Sequence, residues 1–258
     1  MIDAIGLALL VGALTSLCAY RLRRRHIAAF ARGATRGSAC ERDAAFALGR
    51  MIFAEVKRRR HDPVLVPLFG ALGASPSTIL RKGGCCSGVH RLFITCLDSI
   101  GIRGAQITVF RRAAPAEAHC LVQVSADGAN ILIDVDYGVW LRRPDGRPID
   151  LLGLRSGVIP VIEPFVLDRT ASYADGQRSR PAGYPDREYY LFDYELTRTA
   201  NWAETWMRRA LYPLLYRLTA GRVDCLLLPP ICEWPEVLVA AGLCAGALGL
   251  LVARALVF

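Results

Sequence analysis

The stretch RKGGCCSGVHRLFITCLDSIGIRG, residues 81–104, combines a sharp bend with a regular helical pattern. Two glycines lead into two adjacent cysteines, and apolar residues then recur at intervals of three and four, on one face of an α-helix. These apolar residues are Val89, Leu92, Phe93, Cys96, Leu97 and Ile100. Gly101 is expected to end the helix. The pattern therefore predicts an amphipathic helix that begins near Cys86.

Three strand-like runs come after this helix. They are AQITVF (105–110), HCLVQVS (119–125) and NILIDV (130–135). Asp127-Gly128 lies between the last two runs, and this dipeptide favours a two-residue hairpin turn. A helix followed by antiparallel strands predicts an α+β domain in which the helix packs against an antiparallel sheet.

The start of the predicted helix is a place where a thiolate is favoured. Unpaired N–H groups and the helix dipole stabilise negative charge at a helix N-terminus, where Cys86 lies. Gly83 and Gly84 allow the backbone to bend and to approach a substrate closely. Cys86 is therefore a candidate nucleophile, and it needs a base that is itself oriented by a third group.

The chain contains four histidines that could act as this base. His26 lies in an arginine cluster, and His61 precedes an Asp-Pro step. His90 lies one turn along the helix from Cys86, so it is a rival base, although we expect it on the helix surface. His119 opens a strand and is the preferred base.

The hairpin restricts the choice of carboxylate. A turn at Asp127-Gly128 pairs residues whose numbers sum to about 255, which places His119 opposite Asp136. A shift of two residues places Asp134 there instead. Asp134 and Asp136 point to the same side of their strand, so either could hold the imidazole ring. The residues thus predict a papain-like Cys-His-Asp triad with two choices for its third member.

The segment from Cys86 to Gly138 resembles the transglutaminase-like superfamily of cysteine enzymes. In that pattern a Cys starts a helix that ends in a Leu-Gly-Ile type step, here DSIGIRG. A His then starts a strand, here AHCLVQV, and an Asp is followed by Tyr-Gly, here ILIDVDYG. The stretch DYGVWLRRPDGRPIDLLGL resembles the segment after the Asp in bacterial members. The family's usual spacings select Cys86 and Asp134.

The resemblance implies a papain-like core and amide or ester hydrolysis, or acyl transfer, through a Cys thioester. In it Cys86 is the nucleophile, His119 the base and Asp134 the group that orients the imidazole. No cofactor or metal is predicted, and the substrate is a peptide or another amide-containing molecule. The departures from the family pattern are Cys120, Val135 and Gly88, where members often carry an aromatic residue, a proline, and a charged or aromatic residue. The alternative is a catalytically inactive scaffold or binding module.

Both ends of the chain are apolar enough to enter a bilayer. Residues 4–20 carry no charge and just reach the length needed to span it, and residues 237–258 form a second candidate span. Arginines at 21–25 come after the first run, whereas a cleaved signal peptide has its positive charge before the apolar run. The positive-inside rule then places residues 21–236 in the cytoplasm of an inner-membrane protein. Lipid and other membrane proteins are the predicted partners.

These features divide the chain into five predicted segments. They are a transmembrane helix (1–20), a basic juxtamembrane linker (21–39), a transglutaminase-like domain (40–200), an amphipathic segment (201–236) and a second transmembrane helix (237–258). The nine cysteines are odd in number and irregularly spaced, which favours reduced thiols over a disulfide framework. The net charge is +9, but no nucleic-acid motif accompanies it, so we predict no nucleic-acid partner.

Overall fold

The computed structural model describes residues 2–56, 75–111, 118–164, 192–198, 206–225 and 235–257. Its helices are α1 (Ile2–Ala34), α2 (Glu41–Glu55), α3 (Pro76–Lys82), α4 (Cys86–Asp98), α5 (Leu151–Arg155), α6 (Trp206–Leu218) and α7 (Pro235–Val257), with a 3-10 turn at Arg222–Cys225. Its strands are β1 (Arg103–Arg111), β2 (Ala118–Ala126), β3 (Ala129–Asp134), β4 (Val139–Arg142), β5 (Val161–Pro164) and β6 (Phe192–Arg198). The predicted α+β class is confirmed.

The six strands form one antiparallel sheet in the order β5-β4-β3-β2-β1-β6. The predicted hairpin between β2 and β3 is confirmed, because Asp127 and Gly128 have φ angles of 50° and 73°. Positive φ at both central residues is what a type I′ turn requires. The ladder pairs Val122 with Ile133, which is the register that the turn position predicted.

The sheet separates two apolar clusters. One face, which includes Val122, Val124 and Ile133, packs against α4 and the helices around it. The other face includes Leu121, Leu132 and Phe192 of β6, and α5 packs against it. Because α4 lies between the sheet and helices α1 to α3, it is buried on nearly every side, and its N-terminus is held firmly in the domain.

Helix α1 continues without a break from the apolar segment through the basic one. In its second half Ile27 and Ala31 are fully buried in the core cluster that includes α2 and α4, and Phe30 and Ala34 pack against the same cluster. This 3–4 spacing gives the basic helix an apolar face. Residues 21–34 of the predicted juxtamembrane linker are therefore helical, and this part of α1 packs on the core of the domain.

Helices α1 and α7 pack against each other in opposite directions. The contacts that set this direction are Gly12 with Leu243, Gly246 with Leu9, and Arg23 with Glu236. Ala13, Ala240 and Ala247 are buried, and small residues at such contacts are typical of helix pairs in membranes. The two apolar ends of the chain therefore form one helical hairpin, with both termini at the same end of it.

The apolar half of α1 keeps large side chains exposed, among them Leu7, Leu10, Val11 and Leu14. Among the described residues, α1 has one stretch, Ala4–Ala34, that is long and apolar enough to cross a membrane, and α7 has a shorter apolar stretch, Val239–Ala255. By length and composition, α1 is compatible with a membrane anchor or a signal sequence.

Two predicted segments lie only partly within the described residues. Residues 57–74, 112–117 and 165–191 of the predicted 40–200 domain lie outside them, as do residues 199–205 and 226–234. In the predicted amphipathic segment, α6 exposes Leu211, Leu214 and Leu218.

Candidate active site

Cys86 is the first residue of α4, at the position that the sequence predicted. The chain enters α4 through Gly83, whose φ of 84° is a left-handed value that favours glycine. A Cβ added to Gly84 would lie 3.2 Å from Ile79 Cγ2, so the turn also leaves little room for a side chain. This tight turn presents the half-buried Cys86 thiol beside the unpaired N–H groups of the first helical turn.

His119 and Asp134 are in direct contact. His119 Nε2 and Asp134 Oδ2 are 2.6 Å apart, and both side chains are almost completely shielded from solvent. Strand β3 ends at Asp134 and the chain then turns, so Asp136 does not continue the ladder opposite His119. The structure therefore places Asp134, one of the two predicted carboxylates, in contact with the imidazole ring.

The Asp134 carboxylate is also held by the turn after it. Its Oδ1 accepts the backbone N–H groups of Asp136 at 2.9 Å and Tyr137 at 3.0 Å. Burial alone would raise the pKa of Asp134, but the charge and hydrogen bond of His119 hold that pKa well below its usual range. The carboxylate is thus ionised and fixed in orientation.

The pKa values of Cys86 and His119 favour a thiolate–imidazolium pair. A hydrogen bond from the Cys120 thiol and the hydrogen bond and charge of His119 lower the pKa of Cys86 to about 3, against the effect of burial. Burial also disfavours the charged form of His119, yet Asp134 and Cys86 together raise the pKa of His119 to about 10. Between these values both groups are charged, and the thiolate is the nucleophilic form of cysteine.

Two aromatic rings flank the base. The centroid of the Tyr137 ring lies 4.8 Å from that of His119, and the Phe192 ring stacks on it at 5.9 Å with an angle of 18° between the planes. Aromatic faces attract a cationic ring and limit its rotation. Sequence reasoning missed Phe192 because it comes from β6, late in the chain, and no local pattern connects it to His119.

The structure corrects the prediction that His90 lies on the helix surface. His90 is fully buried, and its two ring nitrogens contact backbone groups of Cys86 and Val135. It is therefore not positioned as the rival base. Arg91 and Thr95, on the polar side of α4, are also buried, and no local pattern in the sequence indicates this enclosure.

Cys120, which departs from the family pattern, lies at the nucleophile. It is 1% exposed and lies on β2, within hydrogen-bonding reach of Cys86. Gln106 Nε2 donates a hydrogen bond to Cys120 Sγ at 3.1 Å, and Thr108 Oγ1 lies 4.0 Å from the same sulfur. A hydrogen bond from Cys120 is the largest cause of the lowered pKa of Cys86. Sequence reasoning missed this role because a thiol in an apolar strand is usually core packing.

Replacing Cys120 should therefore weaken the thiolate. We expect Cys120→Ala to raise the midpoint pH of Cys86 alkylation by about one unit, because a hydrogen bond to a charged group is worth about 1.5–3 kcal/mol and part of that loss is recovered from water. Cys120→Ser keeps a hydrogen-bond donor, so its midpoint pH of Cys86 alkylation should stay close to that of the unchanged protein. The measurement is the iodoacetamide reaction rate against pH, with the modified residue assigned by mass spectrometry. An unchanged midpoint in the alanine variant would contradict this role of Cys120.

Comparisons with protein-family models, with curated proteins and with solved structures found no match for this chain. Among the described residues, no group of three or more His, Cys, Asp or Glu side chains is arranged to hold a metal ion. The molecule itself shows an α+β domain with a thiol at a helix N-terminus and a buried histidine–carboxylate pair beside it.

Proposed function

We propose that this protein is a membrane-anchored transglutaminase-like cysteine enzyme that hydrolyses amides or esters, or transfers acyl groups, through a thioester on Cys86. The observation that carries the proposal is the His119–Asp134 contact of 2.6 Å beside a half-buried thiol at the start of α4. A helix that begins at the nucleophile and packs on an antiparallel sheet supports the papain-like comparison made from the sequence.

In the proposed reaction each group has its own step. Asp134 occupies Nε2 of His119, which leaves Nδ1 for the thiol of Cys86. The thiolate attacks the substrate carbonyl carbon, and the oxyanion is stabilised by the unpaired N–H groups of the first turn of α4. His119 gives its Nδ1 proton to the departing amine or alkoxide as the bond to carbon breaks, and the thioester remains on Cys86.

The second half of the reaction regenerates the Cys86 thiolate. Water or an amine attacks the thioester carbonyl, and His119, now neutral, takes the proton of that nucleophile. The Cys86–carbon bond breaks, and the products are an acid or a new amide together with the original ion pair. Asp134 holds the ring and stabilises its charged form throughout.

The same proposal places the α1–α7 hairpin in the inner membrane and the domain on the cytoplasmic side. The exposed apolar side chains of both helices support insertion in lipid, and the arginines after the apolar half of α1 support the orientation. Arg23 pairs with Glu236, and Arg24 lies 3.4 Å from Asp98, so part of this charge also joins α1 to its neighbours. Peptides and membrane proteins near this surface are the proposed partners.

The test uses p-nitrophenyl acetate and the full chain in detergent micelles. An acyl-forming cysteine enzyme releases a burst of p-nitrophenolate, about one per active site, and carries an acetyl group on Cys86 that mass spectrometry locates. A scaffold without catalysis gives only the slow reaction of ordinary thiols, with no burst and no preference for Cys86, and that result would overturn the proposal.

A further inference from the structure

We propose that His90 is a positioning residue that ties the first turn of α4, which carries the nucleophile, to the end of β3, which carries the carboxylate. The inference rests on the proposed function and adds a residue to it. His90 does not touch the reacting atoms in this arrangement, and it acts through the backbone on either side of them.

The contacts of the His90 ring span the two elements. Nδ1 lies 2.6 Å from the carbonyl oxygen of Cys86, and Nε2 accepts the backbone N–H of Val135 at 3.1 Å. The side chain is fully buried, so water does not compete for either bond. One rigid ring therefore fixes the distance between the residue of the nucleophile and the residue next to Asp134.

These contacts also determine where the ring proton lies. Because the Val135 N–H donates to Nε2, that nitrogen offers its lone pair, and the proton is on Nδ1, where it is donated to the Cys86 carbonyl. Asp134 Oδ1 is 3.3 Å from Nε2 but already accepts two backbone N–H groups from the turn after β3. His90 thus bridges two backbone groups in this geometry, whereas His119 contacts the Asp134 carboxylate.

A tether of this kind has a specific use in the proposed reaction. When Cys86 becomes acylated, its ion pair with His119 is lost. The attraction between these two side chains then no longer holds α4 against the sheet. The His90 bonds involve only backbone groups of Cys86 and Val135, so they persist through the acyl-enzyme. The nucleophile then returns to the same place, which is what efficient catalysis requires of its positioning groups.

The decisive variant is His90→Phe, which keeps an aromatic ring and removes both nitrogen contacts. We expect the midpoint pH of Cys86 alkylation to rise by about one unit or more, because the thiol is no longer held against His119 and Cys120. The acetylation burst with p-nitrophenyl acetate should slow by about tenfold or more for the same reason. A purely structural role for His90 would lower the melting temperature and leave the pH profile unchanged.

Two half-variants keep the test valid if the phenylalanine variant does not fold. His90→Gln retains an acceptor within reach of the Val135 N–H, and His90→Asn retains a donor within reach of the Cys86 carbonyl. Each of these two variants should fold, and its alkylation midpoint should shift less than that of His90→Phe, which loses both contacts. A folded variant of either kind with the unchanged midpoint and burst rate would overturn the tether.

The failure of this inference can be separated from the failure of the proposed function. If Cys86 in the unchanged protein titrates as an ordinary thiol at about pH 8.5, the proposed function is refuted, and the positioning role of His90 is refuted with it. If Cys86 is activated in the unchanged protein and equally activated in a folded His90→Phe variant, the enzyme proposal stands and the tether alone is refuted.

Discussion

Replacing Cys86 with alanine should abolish both the acetylation burst and steady turnover of p-nitrophenyl acetate. The expected loss is on the order of 10⁶-fold, as found when the nucleophile of a catalytic triad is removed. The reason is that the ion pair with His119 and the hydrogen bond from Cys120 are directed at this one sulfur. The burst amplitude and the position of the acetyl group are the quantities to measure.

Cys85 provides a matched control in the neighbouring position. It is exposed, and its side chain makes no capping hydrogen bond at the start of α4. Cys85→Ala should therefore leave the burst and the turnover close to those of the unchanged protein. If Cys86→Ala retained the burst, or if Cys85→Ala lost it, the assignment of the nucleophile would be wrong.

The second large effect is expected for Asp134→Asn, with a loss of about 10⁴-fold in turnover. The amide oxygen of asparagine can still accept the N–H groups of Asp136 and Tyr137, so the turn should persist. Its NH₂ group, however, would face Nε2 of His119 and force the proton onto Nδ1, where the base must accept one. The loss of the carboxylate also lowers the raised pKa of His119, and the pKa of Cys86 consequently rises.

Asp136→Asn is the same chemical change two residues away. Asp136 donates its backbone N–H to Asp134 Oδ1, and the substitution leaves that N–H in place. We expect turnover within about threefold of the unchanged protein, because the Asp134 carboxylate that contacts His119 is unchanged. Equal losses in the two variants, measured by the rate of the acetylation burst, would contradict the choice of Asp134 as the third member of the triad.

The sequence predicted those features that short-range spacing determines. The start of α4 at Cys86 follows from the helical spacing that begins at Val89, and the β2–β3 register follows from the turn at Asp127-Gly128. From these two elements, together with the family spacings, the sequence selected Cys86, His119 and Asp134. The structure brings these three side chains together.

The features that the sequence did not predict depend on tertiary packing. His90 has the spacing of a helix-surface residue, and only the helices packed on α4 enclose it. The basic half of α1 was predicted as a juxtamembrane linker because its arginines dominate its composition, and the burial of Ile27 and Ala31 depends on contacts with α2 and α4. Phe192 reaches the site from β6, whose place beside β1 in the sheet is not encoded in any local pattern.

The most direct test of the account is the rate of Cys86 alkylation by iodoacetamide as a function of pH, compared with His119→Ala. Because the pKa of Cys86 is lowered to about 3 and that of His119 raised to about 10, we predict fast labelling at a nearly constant rate between these limits. In His119→Ala the midpoint should move up toward about 8.5, the value of an ordinary thiol. Labelling that rises only near that pH in the unchanged protein, and that is indifferent to His119, would contradict the triad.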